Sequence, residues 1–116
     1  MQEKSMNAKK VYVIVGLGEI LWDMFPQGKH LGGAPANVAY HVSTLGHKGI
    51  TASRIGKDTL GKEIIDSVTG LGLTTEYIQI DPNHPTGTVD VRLDSSGHPK
   101  YTITQNVAWD FFEFNE

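Results

Sequence analysis

The sequence predicts an α/β fold, a parallel sheet with flanking helices that carries a small antiparallel β-unit. Three observations predict it. Val11-Tyr12-Val13-Ile14-Val15 is a β-branched run closed by Gly16-Leu17-Gly18, the pattern of a buried parallel strand. Two segments of helical period follow, separated by a second strand-like run, so the order is strand, helix, strand, helix with right-handed crossovers. Beyond them, residues 86–94 and 100–105 alternate apolar with polar around Ser95-Ser96-Gly97, which predicts an antiparallel hairpin.

After the first strand, residues 19–25 stay extended and Pro26-Gln27-Gly28 turns the chain. Over residues 35–45, Val38, Val42 and Leu45, with Ala39 beside them, recur at helical spacing and predict the buried face of a helix. Pro35 suits its first turn, where the missing N–H would be unpaired anyway, and Gly46 suits its C-terminal cap. Residues 48–55 read as the second strand. Asp58 suits the N-cap of a second helix with Leu60, Ile64, Val68 and Leu71 buried, ended by Gly70 and Gly72. In the hairpin, Val89, Val91 and Leu93 share one face, with Thr88, Asp90, Arg92 and Asp94 on the other. On the returning strand Tyr101 and Ile103 alternate against Thr102 and Thr104. Alternation alone does not decide between an edge hairpin of the same core and a separate unit. Residues 106–112 lead back towards the α/β body, and Trp109 reads as a packing aromatic.

The 116 residues are 39% hydrophobic and 20% charged, which suits one globular domain. A net charge of -3 with only 10 Lys plus Arg leaves no basic stripe for nucleic acid, so none is expected as a partner. The absence of cysteine excludes disulfides and thiolate zinc sites. The longest apolar run, residues 11–17, is far short of the ~20 residues a membrane span needs. Residues 1–10 lack the apolar centre of a secretion signal and read as a disordered tail, so the expected location is cytoplasmic. His30, His41, His47, His84 and His98 share no metal-ligand spacing and read as surface or capping residues; no metal site is expected in this chain. Gly16-Leu17-Gly18 invites a dinucleotide reading, but the third glycine of that fingerprint would fall on Leu21 and no helix starts there.

The stretch Gly32-Gly33-Ala34-Pro35-Ala36-Asn37-Val38-Ala39 is the most specific in the chain. Paired glycines let backbone approach a ligand with no Cβ in the way. Asn37 offers a donor and an acceptor together, which suits a hydroxyl-rich ligand. Asp23, before the glycine pair, can accept two charge-assisted hydrogen bonds from neighbouring hydroxyls; on residue type alone a solvated turn aspartate is an equal reading.

With Gly46 and Gly56 in register behind it, this stretch resembles the N-terminal signature of the PfkB (ribokinase-like) carbohydrate kinases, and its Ala-Pro-Ala-Asn form resembles the fructokinases. Gly18-Glu19-Ile20-Leu21-Trp22-Asp23 is similar to the family's early strand, whose aspartate grips the sugar. The resemblance implies a ribokinase-like fold, here incomplete, over residues 11–116, with a small antiparallel β-lid from strands at about 20–31 and 75–105. It implies sugar contacts from Asp23, Gly32, Gly33 and Asn37, the rival role of Asn37 being helix-start capping. If the hairpin is a lid, either Thr102 and Thr104 or Tyr101 and Ile103 face the ligand; the threonines are preferred for a polar sugar. Ala34 stands where ribokinases resemble one another in carrying lysine, which leaves a wider, less cationic pocket and favours a hexose such as fructose over ribose.

The family's general base lies in a Gly-Ala-Gly-Asp segment, and this chain has none. The resemblance therefore implies the sugar-recognition portion of an ATP- and Mg-dependent sugar kinase, with base and nucleotide site outside the chain and no phosphoryl transfer by the chain alone. It also implies a homodimer through the lid. The reading from a different class is a non-catalytic module that binds a small polyol or assembles through its hairpin.

Overall fold

The β-branched run near the N-terminus becomes strand β1 (Val13–Leu17) of a computed structural model that describes residues 10–114. The tail expected over 1–10 lies, but for Lys10, outside the described residues. After β1 come β2 (Leu21–Phe25), β3 (Gly28–Gly32), α1 (Ala34–Thr44), β4 (Lys48–Gly56), α2 (Thr59–Gly70), β5 (Ile78–Asp81), β6 (Gly87–Leu93), β7 (Pro99–Ile103) and a 3₁₀ helix (Ala108–Phe111). They form two sheets. The body sheet is parallel in the order β1-β4-β5, and a four-stranded mixed sheet runs β3-β2-β6-β7.

Glycine sets the fit of α1 on the body sheet. A Cβ on Gly16 of β1 would lie 2.8 Å from the Pro35 carbonyl oxygen, and one on Gly49 of β4 would overlap the backbone of Ala39. Such an approach admits only small side chains, so the buried face of α1 is Pro35, Ala36 and Ala39. The expected face of Val38, Val42 and Leu45 is corrected accordingly: Val38 is 42% and Leu45 69% exposed. The helix ends as expected at Gly46, whose φ of 89° lets its N–H reach Ser43 O at 3.0 Å while the His47 N–H reaches Val42 O.

Helix α2 starts at its expected cap, the Asp58 carboxylate accepting the Gly61 N–H at 2.8 Å. Ile64 and Val68 are fully buried in a core with Ile20, Trp22, Ala36, Ala39, Ile55, Leu73 and Ile78. Leu71 instead falls at the C-cap and stays exposed.

Two expectations about strands are corrected. β1 starts two residues late and is not buried, Val13, Ile14, Val15 and Leu17 being 40–60% exposed. A strand reads as buried when neighbours flank it, and among the described residues β1 pairs only with β4. Residues 78–81, placed in the lid by the 75–105 range, form β5 beside β4, with Ser53 opposite Ile78 and Gly56 opposite Asp81. Four residues are too few to show a pattern that assigns them to one sheet.

The hairpin is no edge of the body sheet. β6 pairs antiparallel with β7 and parallel with β2, which ties it to β2 and β3 in the separate sheet. One side of that sheet rests on the body, where Trp22 joins the core, Met24 and Leu31 pack against it, and the Trp22 indole N–H donates to Leu60 O at 2.9 Å. The other side carries a small cluster of Leu21, Val89 and Val91, whereas Leu93 at its tip is 70% exposed.

Candidate functional site

The register of the four-stranded sheet decides which side chains meet. Asp23 on β2 stands opposite His30 on β3 and opposite Val89 on β6, and Val89 stands opposite Ile103 on β7. His30, Asp23, Val89 and Ile103 therefore form one row across one face. One step nearer the body, Leu21 lies between Gly32 and Gly87. The half-buried Asp23 carboxylate leans over Gly32, where a Cβ would come within 2.6 Å of Oδ2. Any side chain at position 32 would push the carboxylate away from the glycine turn.

Gly33 follows with a φ of 100°, and a Cβ there would collide with the Glu19 carbonyl. It is the N-cap of α1, and no side chain caps that end. The first turn thus presents the positive end of the helix dipole beside the glycine pair, a setting that suits an electron-rich ligand oxygen. Asn37 lies one turn along α1, exposed and with no part in capping, which removes its rival role. The structure thus gathers Asp23, Gly32 and Gly33 where β2, β3 and α1 meet, with Asn37 one turn further.

It does not bring Thr102 and Thr104 there. Thr102 pairs with Asp90 on the opposite face of the sheet, and Thr104 bonds Thr88 through both its hydroxyl (2.9 Å) and its N–H (3.1 Å). The residues of β7 that share the Asp23 face are Ile103 and Tyr101, each 63% exposed. The preference for the threonines is corrected: strand alternation linked to Asp23 through β6 selects the apolar pair. Polarity was the wrong criterion, because register sets which face a residue occupies.

Two polar networks escaped the sequence reading. Asp58, besides capping α2, accepts the Thr86 N–H at 3.0 Å and the Thr86 hydroxyl at 2.6 Å, while Gly56 N–H donates to that hydroxyl. Partial burial alone would raise the Asp58 pKa, but the bonds from Thr86 and Gly61 outweigh it and hold the carboxyl below its usual range. The spacing Gly56, Asp58, Gly61 carried the signal, since a Cβ on Gly61 would overlap the Gly56 carbonyl. Only the distant partner Thr86 could not be read from it. Second, buried Asp81 accepts Arg54 Nε at 3.0 Å, the Asn83 and His84 N–H groups, and pairs with the His84 ring at 3.0 Å. Its burial would raise the pKa, yet Asn83, Arg54 and His84 keep it well below the ordinary carboxylate range. His84, partly exposed, also stacks on Phe111 of the 3₁₀ helix with ring centroids 3.6 Å apart. Among the described residues no group of three or more His, Asp or Glu could hold a metal ion, and no helix is long and apolar enough to cross a membrane.

Comparison with known proteins places this geometry. The profile of the pfkB family carbohydrate kinase matches residues 18–111. A fructokinase of Salmonella typhimurium is 34% identical over 116 residues, covering 96% of this chain and 36% of that protein. A putative sugar kinase of Pyrococcus horikoshii is 33% identical over 115 residues, 90% of this chain and 37% of its own. Among solved structures, the fructokinase of Vibrio cholerae O395 superposes with a TM-score of 0.75 at 31% identity, over 84% of this chain and 35% of that one. The Pyrococcus horikoshii sugar kinase, solved in complex with ATP, gives 0.71 at 34% identity, over 80% and 34%. The chain spans about a third of the length of these relatives.

Proposed function

The chain belongs to the pfkB family of carbohydrate kinases, and from that premise we propose that it is the sugar-binding portion of an ATP-dependent kinase whose substrate is fructose. The observation that carries this is Asp23 leaning over Gly32 beside the uncapped start of α1. A carboxylate there accepts from two sugar hydroxyls, while the backbone around Gly33 and the Asn37 amide meet further oxygens. Val89, Ile103 and Tyr101 supply an apolar surface for the C–H face of the ring.

Fructose is favoured by the fructokinase relatives and by Ala34, which puts no cation into the pocket. ATP with its Mg, and the base that takes the sugar proton, are assigned to residues outside this chain, whose sequence carries no Gly-Ala-Gly-Asp segment. The contribution of this portion is to hold the hydroxyl in line with the γ-phosphate, and positioning carries much of the barrier reduction in phosphoryl transfer. We place the enzyme in the cytoplasm, as a homodimer through the lid. Leu93 and Tyr101 lie exposed beside a cavity of about 450 Å³ at the lid tip, lined also by Phe25 and Val91. The test is to screen ketoses and aldoses with ATP in the full-length protein that carries this segment. Phosphorylation of fructose with the lowest KM is expected; failure with every sugar refutes the reading.

A further inference from the structure

We propose that His30 is a specificity-determining residue of the sugar site, its imidazole bonding the same hydroxyl-bearing edge of the ligand that Asp23 grips. The proposal rests on the sugar-kinase reading above, and three observations carry it. His30 is the cross-strand partner of Asp23, so the two side chains leave the sheet on the same face, with Cβ atoms about 5 Å apart. They stand two residue pairs beyond the Gly32–Leu21 pair, which makes them the next pair on the same face, on the lid side of the glycine turn. The imidazole is exposed, and its ring is held edge-on by Phe25, centroids 5.1 Å apart at 89°. Among the described residues no ion pair or hydrogen bond joins it to Asp23, so its ring nitrogens remain available.

The chemistry of the pair is complementary. A carboxylate only accepts hydrogen bonds, whereas an imidazole always carries at least one N–H to donate. A sugar hydroxyl that donates to Asp23 keeps lone pairs that can accept from His30. The polar half of the row, His30 and Asp23, thus reads hydroxyl configuration, and its apolar half, Val89 and Ile103, reads the C–H face. An epimer with that hydroxyl inverted would keep the apolar contact and lose the bonded pair. His30 would then penalise epimers without taking part in the transfer itself.

The experiment uses the full-length protein and four ketohexoses: fructose, tagatose, sorbose and psicose. In His30→Ala the KM for fructose should rise about ten-fold, as expected for one lost hydrogen bond, with kcat within about two-fold. The KM ratios between fructose and its epimers should shrink by a similar factor. His30→Asn, which keeps a side-chain N–H donor, should recover part of that discrimination. In histidine-selective NMR spectra, fructose added without nucleotide should shift the ring signals that His30→Ala removes. Unchanged KM and epimer ratios in a His30→Ala protein of wild-type melting temperature would overturn the proposal, as would unmoved ring signals. If the wild-type protein phosphorylates no sugar, the sugar-kinase reading fails and the proposal falls with it.

Discussion

The Asp58 carboxylate reaches 28 residues along the chain to hold Thr86 by both its N–H and its hydroxyl. Thr86 is the last residue before β6 enters the lid, and Asp58 is the cap of the body helix α2. One exposed carboxylate therefore joins the body to the lid, and its loss should be felt in both.

Asp58→Ala should destabilise the protein by about 2 kcal/mol, roughly 1 from the lost cap and the rest from the bonds to Thr86. Thr86→Val keeps the cap and the N–H bond to Asp58 and loses only the bonds of the hydroxyl, to Asp58 and from the Gly56 N–H, so it should cost about 1 kcal/mol. Chemical denaturation of the three proteins checks this, and equal losses in both variants would contradict the division.

Asp58 and Asp81 both titrate lower in the folded protein than their ordinary 3.8. Between the folded and unfolded values the unfolded chain binds more protons, so stability is present above about pH 4 and is lost as pH falls through the folded values. Asp81→Asn and Asp58→Asn should each flatten that acid limb. Melting temperature against pH from 7 down to 2 is the measurement, and an unchanged slope would refute it.

Asp23→Ala should raise KM for fructose about ten- to hundred-fold, the cost of a hydrogen bond to a charged group. Asn37→Ala should also raise KM, and because Asn37 caps nothing its melting temperature should stay at the wild-type value. Steady-state kinetics beside a thermal melt separates the two effects.

On β7, Ile103→Ala should weaken sugar binding while Thr102→Ala leaves KM unchanged, since the two residues occupy opposite faces. Leu93→Asp at the exposed tip should shift sedimentation towards monomer with the fold intact. A KM effect from Thr102→Ala would count against this use of the two faces, and an undisturbed dimer in Leu93→Asp would count against the lid interface.

Gly49→Ala should cost about 1–3 kcal/mol, because its Cβ meets the Ala39 backbone. Gly70→Ala, where a Cβ meets nothing within 4 Å, should be neutral or gain up to about 1 kcal/mol. Paired melts of the two variants decide.

Local chemistry was legible in the sequence wherever its partners were close. The Asp58 cap, the Gly46 terminus of α1 and the β6–β7 alternation all depend on residues within a few positions. Asp23 and the glycine pair could be named as a site because glycine and carboxylate are restrictive choices. Depth of burial could not be read. Val38 and Leu45 have the right period for a core, and only the Gly16 and Gly49 contacts reveal that the small side of α1 faces inward. The facing side of β7 was hidden as well, because it depends on the parallel pairing of β2 with β6, which no short-range pattern announces.

That pairing also fixes an order of events. Leu21 meets Gly87 across more than sixty residues, and β3, α1, β4, α2 and β5 all lie between them. The β2–β3 hairpin can close locally, but β6 can add to it only after a long loop has been brought together at an entropic cost. The body is the device that shortens this loop: once β4 and β5 are laid beside β1, the clamp at Thr86 delivers β6 to the end of β2. The lid should therefore be the slow, last-formed part, with the high contact order that delays such sheets. Variants at Asp58 would then act on the folding rate as well as on the final stability.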